Sequence, residues 1–344
     1  MTTAYPNSGY TLLDRFAETI DGKNMSKVIQ VMNYFGVNDF FADWPFKEAS
    51  HGLKEKVVRT ASIPASTIRG FDKGVKPTVT KTQAVWEDVV LMEQRRQIDC
   101  DRVDTLSQSG KVEKLRMEDE SHTRALGKDV VNNFFNGAST SGGEHINGLL
   151  PRVNTISGNS LNNVISAGYT GGGSATTRLL IVELNPEDGA YGIYPSGGQI
   201  PGATNGVIVR DIGREPVNDA DDVTARYYAY VAIFKAWFGL AVGNNLKIGA
   251  MVNINPTPGG ANSVDDDFFD KLALLVSRLD LDLSRTRIYM NRTMGALFNN
   301  YSRSKNNVYW PTTEVFGRPV KDYQGIPIRE LDDKIITNTQ AVVT

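Results

Sequence analysis

The sequence contains a single cysteine, Cys100, among its 344 residues. One thiol cannot form an intrachain disulfide or a cysteine-rich metal site. Asp99 and Asp101 flank the thiol and disfavour its ionisation, so we expect a buried, unreactive cysteine. Histidine is also scarce, and the three histidines lack the spacing of metal ligands: His51, His122 and His145. The sequence therefore predicts no metal centre and offers little for acid–base or nucleophilic catalysis.

Long apolar runs and a strong net charge are absent as well. No 18 consecutive apolar residues occur, and residues 1–20 lack the basic-then-apolar pattern of a secretion signal. The formal net charge is −2, whereas dedicated nucleic-acid-binding proteins are normally basic. With 40% hydrophobic and 22% charged residues, the composition is typical of a globular protein with room for two or three packed units. We therefore expect a protein made in the cytoplasm, without a membrane partner.

Three local patterns suggest ligand sites only superficially. The run Asp265–Asp267 begins a helical pattern and points in three directions, which favours interaction with the helix dipole over metal binding. Asp219, Asp221 and Asp222 fall in a predicted hairpin turn, where a weak surface Ca²⁺ site is the alternative. Gly171–Gly173 lacks the Lys-Ser/Thr ending of a phosphate-binding loop. On chemistry alone, the sequence predicts a mixed α/β protein without a catalytic site.

Aromatic residues are concentrated between positions 40 and 46. This segment contains four of them beside a proline: Phe40, Phe41, Trp44 and Phe46. Such a cluster is unlikely to remain in solvent. We expect residues 1–48 to form an arm whose aromatic segment, with Phe40, Phe41 and Trp44, packs either on its own core or on a neighbouring subunit.

Residues 51–81 predict a long β-hairpin with a basic tip. β-Branched residues lie on both flanks, and Gly70 and Gly74 lie in the centre. The segment has seven basic and two acidic side chains, whereas residues 87–120 have ten acidic and six basic ones. This arrangement suits head-to-tail contact between identical subunits, although both charge patterns are equally compatible with ordinary solvated surface. The tip residues predicted to contact another subunit are Arg69, Phe71, Lys73 and Lys76.

The remaining chain alternates between helical and strand patterns. A helix is predicted from Met117 to Phe135, with Asn136-Gly137 as its stop. The next strands are predicted at 179–184, 191–194 and 228–240, and a turn at Gly243–Asn245 sends 246–254 back antiparallel to the last of them. After a boundary at 255–262, a helix capped by Ser263, a strand at 287–290 and a helix from Asn291 are predicted.

Fourteen short motifs follow one another along residues 60–330, and their order indicates a protein family. They are Ile63-Pro64, Arg69-Gly70, Gly74-Val75, Arg116–Asp119, Phe134–Gly137, Asn147–Arg152, Leu180–Leu184, Gly192–Gly197, Asp211–Gly213, Gly239-Leu240, Val252–Ile254, Tyr289–Arg292, Gly317–Val320 and Gly325–Arg329. Taken together, they resemble the major capsid proteins of tailed bacteriophages with the Hong Kong 97 capsid fold, in the short-tailed-phage branch.

The resemblance implies an α+β fold with four parts. Residues 1–48 would be the N-terminal arm, and 49–92 the extended β-hairpin loop. Residues 93–255 would form the peripheral domain, with a spine helix at 117–135 on a long antiparallel sheet built from 178–255. Residues 256–344 would form the axial domain. Because Asn291 and Gly317–Val320 follow the long strands here, whereas they precede them in many members, the resemblance also implies a permuted order.

The same resemblance implies a structural function without catalysis or cofactors. The chain would assemble with itself, as hexamers and pentamers, into the icosahedral shell around the double-stranded DNA genome, touching that DNA only non-specifically. A separate scaffolding protein is implied because Met1 lies almost directly at the arm, and a portal and a decoration protein are further expected partners. The protein would reside in the virion after procapsid assembly in the host bacterial cytoplasm and maturation. The alternatives are a bacterial encapsulin-type compartment, a β-rich hydrolase with a carboxylate pair, and a tail or decoration protein.

Overall fold

The computed structural model describes residues 40–344 except 63, 65, 139–145, 160, 172–174, 197–206, 220, 223, 305–311 and 316–317. Residues 1–39 of the predicted arm, His145 and most of the Gly171–Gly173 run lie outside the described residues.

Helices and strands follow one another mostly in blocks along the described chain. The helices are α1 (Phe40–Asp43), α2 (Cys100–Asp104), α3 (Gln108–Asn136), α4 (Leu149–Arg152), α5 (Asp266–Arg278) and α6 (Arg292–Ser304). The strands are β1 (Phe46–Glu48), β2 (Lys54–Ser62), β3 (Lys81–Asp99), β4 (Val164–Ser166), β5 (Thr177–Glu183), β6 (Ala190–Tyr194), β7 (Val207–Asn218), β8 (Arg226–Val242), β9 (Ile248–Ile254), β10 (Thr286–Asn291), β11 (Thr312–Val315), β12 (Arg318–Tyr323) and β13 (Ile326–Leu331).

The first sheet is built on two long antiparallel strands, β3 and β8. Its order is β1-β6-β8-β3-β2, and β7 pairs with the free part of the β8 edge. Helix α3 covers one face, where Val130 and Phe134 belong to the same buried cluster as Val90, Phe234 and Phe238. The predicted aromatic strand is therefore confirmed as β8, and its apolar side chains bind the long helix to the sheet.

The second sheet has the order β11-β12-β13-β10-β5-β9-β4. Strands β5 and β9 are buried along their whole length, which requires cover on both faces. Helices α5 and α6 contribute Phe268, Leu272 and Phe298 to the cluster on one side of this sheet. The other side faces the core that contains α3, so the second sheet lies between two apolar layers.

The predicted return of residues 246–254 along β8 is wrong. Strand β9 pairs antiparallel with β5 and parallel with β4, in the second sheet. The chain is redirected by a 3₁₀ turn at Asn245–Lys247, where Leu246 N donates to Asn244 Oδ1. A strand that is apolar on both faces is more stable inside a covered sheet than beside a hairpin partner. The long sheet contains β3 in its place, and the segment 93–255 that was predicted as the peripheral domain contributes strands to both sheets, because β4, β5 and β9 belong to the second one.

Two helix starts also differ from the prediction. Helix α3 begins at Gln108, where the Ser107 hydroxyl accepts from Gly110 N at 3.3 Å. Its first turns are mostly polar and lack an apolar stripe, so the periodicity that predicts its second half does not extend to them. Helix α5 is capped by Asp265, whose Oδ1 accepts from Phe268 N at 2.8 Å, and not by Ser263.

Candidate assembly surface

A hairpin projects from the first sheet and ends in a fully exposed basic segment. Strands β2 and β3 pair from Lys54–Asp88 outward to Ser62–Lys81, which confirms the predicted hairpin. Every residue from 66 to 80, here called the hairpin tip, is exposed. Phe71 is 97% exposed, in a turn where Asp72 has a positive φ of 62° and Lys73 N donates to Gly70 O. An aromatic ring held this far from its own core needs another surface to be buried.

The four tip residues of the predicted contact lie together on this projection. Arg69, Phe71, Lys73 and Lys76 are all exposed within the tip. Ile68 and Val79, at 101% and 80% exposure, add apolar surface that the sequence patterns did not single out. The tip therefore combines cations with apolar side chains, a mixture suited to binding another protein surface.

The aromatic segment of the predicted arm lies elsewhere. Phe40, Phe41 and Trp44 are only 2–4% exposed and pack in the core of their own subunit, which does not support their prediction as contacts to a neighbouring subunit. The Phe40 ring meets that of Phe134 edge-on at 5.7 Å, and the Trp44 indole donates to the Tyr289 hydroxyl at 2.9 Å. Of the two locations left open by the sequence, the structure shows the subunit's own core.

The base of the hairpin carries a buried group of charged side chains. Glu55 on β2 and Glu87 on β3 face each other in register and are 3% and 4% exposed. Arg152 donates to both carboxylate oxygens of Glu87 at 2.8 Å, and Arg59 Nη2 lies 3.3 Å from the same carboxylate. Lys47 Nζ lies 3.4 Å from Glu55. We call these five residues the base cluster.

Backbone groups complete the base cluster. Arg59 also donates to Val242 O at 2.9 Å, at the end of β8, and Ser50 N donates to Glu55 at 2.6 Å. The Tyr191 hydroxyl lies 3.4 Å from Glu55, and burial together with that carboxylate raises the pKa of Tyr191, which keeps its proton available for donation. Sequence reasoning missed this cluster, although a glutamate at an inward position of each strand was the available signal.

Much of the acidic tract at 87–120 is neutralised within the subunit. Asp119 on α3 and Arg96 on β3 form an ion pair in which both side chains are at most 2% exposed. Other acids of the tract with intrachain cations are Glu87, Asp88, Glu93, Asp104, Glu118 and Glu120. The attraction between a basic tip and this tract is therefore weaker than the formal charges of the sequence indicate.

The Arg96–Asp119 pair joins the long helix to the sheet. Arg96 Nη2 also lies 3.6 Å from Asp211 on β7, a half-exposed carboxylate. Burial raises the pKa of Asp119 to about 6, because the loss of hydration outweighs the attraction of Arg96. The pair thus ties β3, α3 and β7 together beneath the first half of the helix.

The histidine, cysteine and aspartate side chains that the sequence offered as possible reactive or metal-binding groups make ordinary structural contacts. The His51 ring meets Trp86 edge-on, the His122 ring stacks on Phe234 at 5.6 Å, and Cys100 is fully buried, as predicted. Asp219, Asp221 and Asp222 lie at the β7–β8 turn, where Asp219 and Asp222 accept from backbone amides two residues ahead. Among the described residues, no group of three or more His, Cys, Asp or Glu side chains is arranged to hold a metal ion. None of the described helices is long and apolar enough to span a membrane.

Comparison with known proteins identifies the family. The chain resembles a protein of the bacteriophage Epsilon15 structure, with 21% identity, a TM-score of 0.64 and coverage of 88% of both chains. Weaker likenesses are to the bacteriophage JBD30 capsid (10% identity, TM-score 0.48, 88% and 92% coverage) and to the SrpI encapsulin of Synechococcus elongatus PCC 7942 (10%, 0.38, 63% and 87%). No curated protein matches the sequence. The model of the family "Major capsid protein GP7" matches residues 21–344, so the chain belongs to this family and is a structural protein of the tailed-phage head shell with the Hong Kong 97-type α+β fold.

Proposed function

We propose that the hairpin tip of each subunit lies on an adjacent subunit and is a principal contact holding the shell together. The observation that carries the proposal is the exposure of Phe71, at 97%, within an entirely exposed segment that also contains Arg69, Lys73 and Lys76. A capsid protein assembles through repeated contacts, and each contact of standard size supplies only modest net affinity. A projecting tip increases the number of neighbours that one subunit reaches, and several weak contacts together stabilise a closed shell.

Deleting Phe71–Val75 tests this proposal. Because the tip is exposed along its whole length, the shortened subunit should keep its thermal unfolding temperature. It should fail to form stable heads when expressed with the other head proteins of its phage, as judged by electron microscopy. A matched variant that keeps the length, Phe71→Ser with Lys73→Ser, should reduce head yield without abolishing folding. Normal heads from the deletion variant would refute the proposed contact.

We further propose that the two sheets correspond to the two domains of the shell subunit. The peripheral domain would contain the first sheet with α3, and the axial domain the second sheet with α5 and α6. The N-terminal arm at 1–48 and the permuted order of the Asn291 and Gly317–Val320 segments stay predictions. Hydrogen exchange would test the division, since each domain should protect its own strands as a cooperative unit.

The remaining partners are proposals that follow from family membership. Subunits would assemble as hexamers and pentamers around double-stranded DNA, with a scaffolding protein, a portal and a decoration protein, in the cytoplasm of the host bacterium. Expression of the chain with and without each candidate head protein, followed by sedimentation, tests these partners. Membership of the family, by contrast, already gives the chain a structural function without catalysis. The alternatives of a hydrolase and of a tail or decoration protein are therefore set aside.

A further inference from the structure

Two glutamates at the base of the hairpin would repel each other if no cations lay beside them. Glu55 and Glu87 are directly opposite each other on adjacent strands, and like charges in that position repel. Both carboxylates are almost fully buried, which removes the water that would otherwise screen them. Buried in this way without neighbouring cations, the pair would favour strands that separate or rotate at this point.

Two of the compensating cations come from outside the hairpin, and the third, Arg59, lies on β2 itself. Arg152 belongs to α4 beyond the long helix, Lys47 belongs to β1, and Arg59 connects Glu87 to Val242 O at the end of β8. Arg152 is itself held, because its Nε and Nη2 donate to Asn147 O at 3.0 and 2.8 Å. A planar guanidinium that binds a carboxylate with two parallel hydrogen bonds fixes direction as well as distance. The cluster thus fixes how the hairpin leaves the sheet.

Small rotations at this base become large displacements at the tip. Lys81 lies six positions before Glu87 along β3, or about 20 Å at roughly 3.4 Å per residue. A rotation of about 10° at Glu87 would move the outer end of the ladder by roughly 3–4 Å, more than the tolerance of a hydrogen bond. The hairpin tip lies further out still. The geometry of a contact made by the tip therefore depends on the angle set at the base.

We propose that Glu87, Arg152 and Arg59 are positioning residues that set the direction of the hairpin and thereby the geometry of the contact between subunits. This inference rests on the proposed function of the hairpin tip. The three residues lie behind the contact and do not form part of it. Their pairing determines where the tip can meet a second copy of the chain.

Two variants test the direction of the hairpin in a subunit that still folds. Arg152→Lys keeps the charge but loses the paired hydrogen bonds, and Glu87→Gln with Arg152→Gln removes both charges while leaving the net charge unchanged. Both should yield folded subunits. The matched control is an exposed ion pair between Arg95 on β3 and Glu215 on β7, whose side chains are 43% and 42% exposed. Arg95→Gln with Glu215→Gln should have no effect on hairpin direction.

Hairpin direction can be measured directly in the unassembled subunit. Spin labels are attached at Lys81→Cys, at the outer end of the ladder, and at Lys128→Cys on the exposed face of α3; Cys100 is fully buried and should not react. Double electron–electron resonance should give a narrow distance distribution for the parent and the control. The two base variants should broaden or shift it by roughly 3 Å or more. An unchanged distribution in both variants would overturn the proposal.

Assembly then distinguishes this inference from the proposed function. If the Phe71–Val75 deletion prevents assembly while the base variants form heads of normal diameter, the positioning inference fails and the tip contact stands. If the deletion itself gives normal heads, the tip contact fails. The expected result is that the deletion abolishes heads and that the base variants form few heads or heads of abnormal diameter. A control variant as defective as the base variants would also overturn the assignment.

Discussion

Replacing Arg96 by Met should strongly destabilise the subunit at pH 7. The arginine is 2% exposed and is the cation paired with Asp119, which is 1% exposed. Without it, a buried carboxylate loses its counter-charge and still experiences the repulsion of Asp211. Breaking a buried ion pair from one side costs about 3–5 kcal/mol of the free energy of unfolding. The double variant Arg96→Met with Asp119→Leu removes both charges and should be neutral or stabilising, by about 1–4 kcal/mol.

The cost of Arg96→Met should fall in acid. Burial already raises the pKa of Asp119 to about 6 with the arginine present, and removal of that cation raises it further. A group whose pKa is higher in the folded than in the unfolded state contributes stability below its unfolded pKa, and that stability is lost as the pH rises through its folded pKa. The single variant should therefore lose less stability at pH 5 than at pH 7.

Urea unfolding of the unassembled subunit at both pH values measures these differences. A complete double-mutant cycle with Arg96→Met and Asp119→Leu isolates the coupling between the two side chains. The exposed pair Arg95–Glu215 serves as the control, for which the coupling should be about 0–1 kcal/mol. A loss below about 1 kcal/mol for Arg96→Met, or an equal loss at both pH values, would show that the pair is not buried as described.

Three further outcomes are expected from single substitutions. Burial lowers the pKa of His122, so the stability it contributes is present above pH 6.5 and is lost in acid; His122→Gln should therefore flatten the decrease in unfolding temperature below that pH. Phe134→Ala empties a fully buried position beside Phe40 and should lower the free energy of unfolding by about 3–5 kcal/mol in urea, whereas Phe134→Leu should cost less. Gly137→Ala would place a Cβ 2.4 Å from Ile146 O, so it should lower the unfolding temperature, and an unchanged value would contradict the close approach at the end of α3.

The hairpin and the aromatic strand were predictable because their signals are local. The Gly70–Gly74 centre between β-branched flanks predicted the turn, and alternating aromatic residues predicted β8. The first turns of α3 were missed because they carry no apolar stripe, and their helical state depends on the Ser107 cap and on packing of the second half of the helix. The membership of β9 in the second sheet was also missed, since a strand buried on both faces does not specify its partner.

The predicted contact residues also show what the sequence can and cannot predict. Sequence reasoning selected both as contacts between subunits because exposed aromatic residues need a partner surface. Phe71 is exposed at the tip, whereas Phe40 and Trp44 find that surface inside their own subunit, against Phe134 and Tyr289. A local cluster of aromatic residues indicates that these side chains need to be buried. Only the tertiary structure determines which surface buries them.

The sequence by itself determined the aromatic strand, the second half of the long helix, the basic hairpin and, through the ordered motifs, the family of shell-building proteins. Spacing, turn residues and composition act between near neighbours and can be interpreted along the chain. The tertiary structure alone decided that Glu55 and Glu87 meet, that Arg152 reaches Glu87 and that Arg96 pairs with Asp119. These contacts join residues far apart in the chain, and charges become strongly coupled only after folding has removed the water between them.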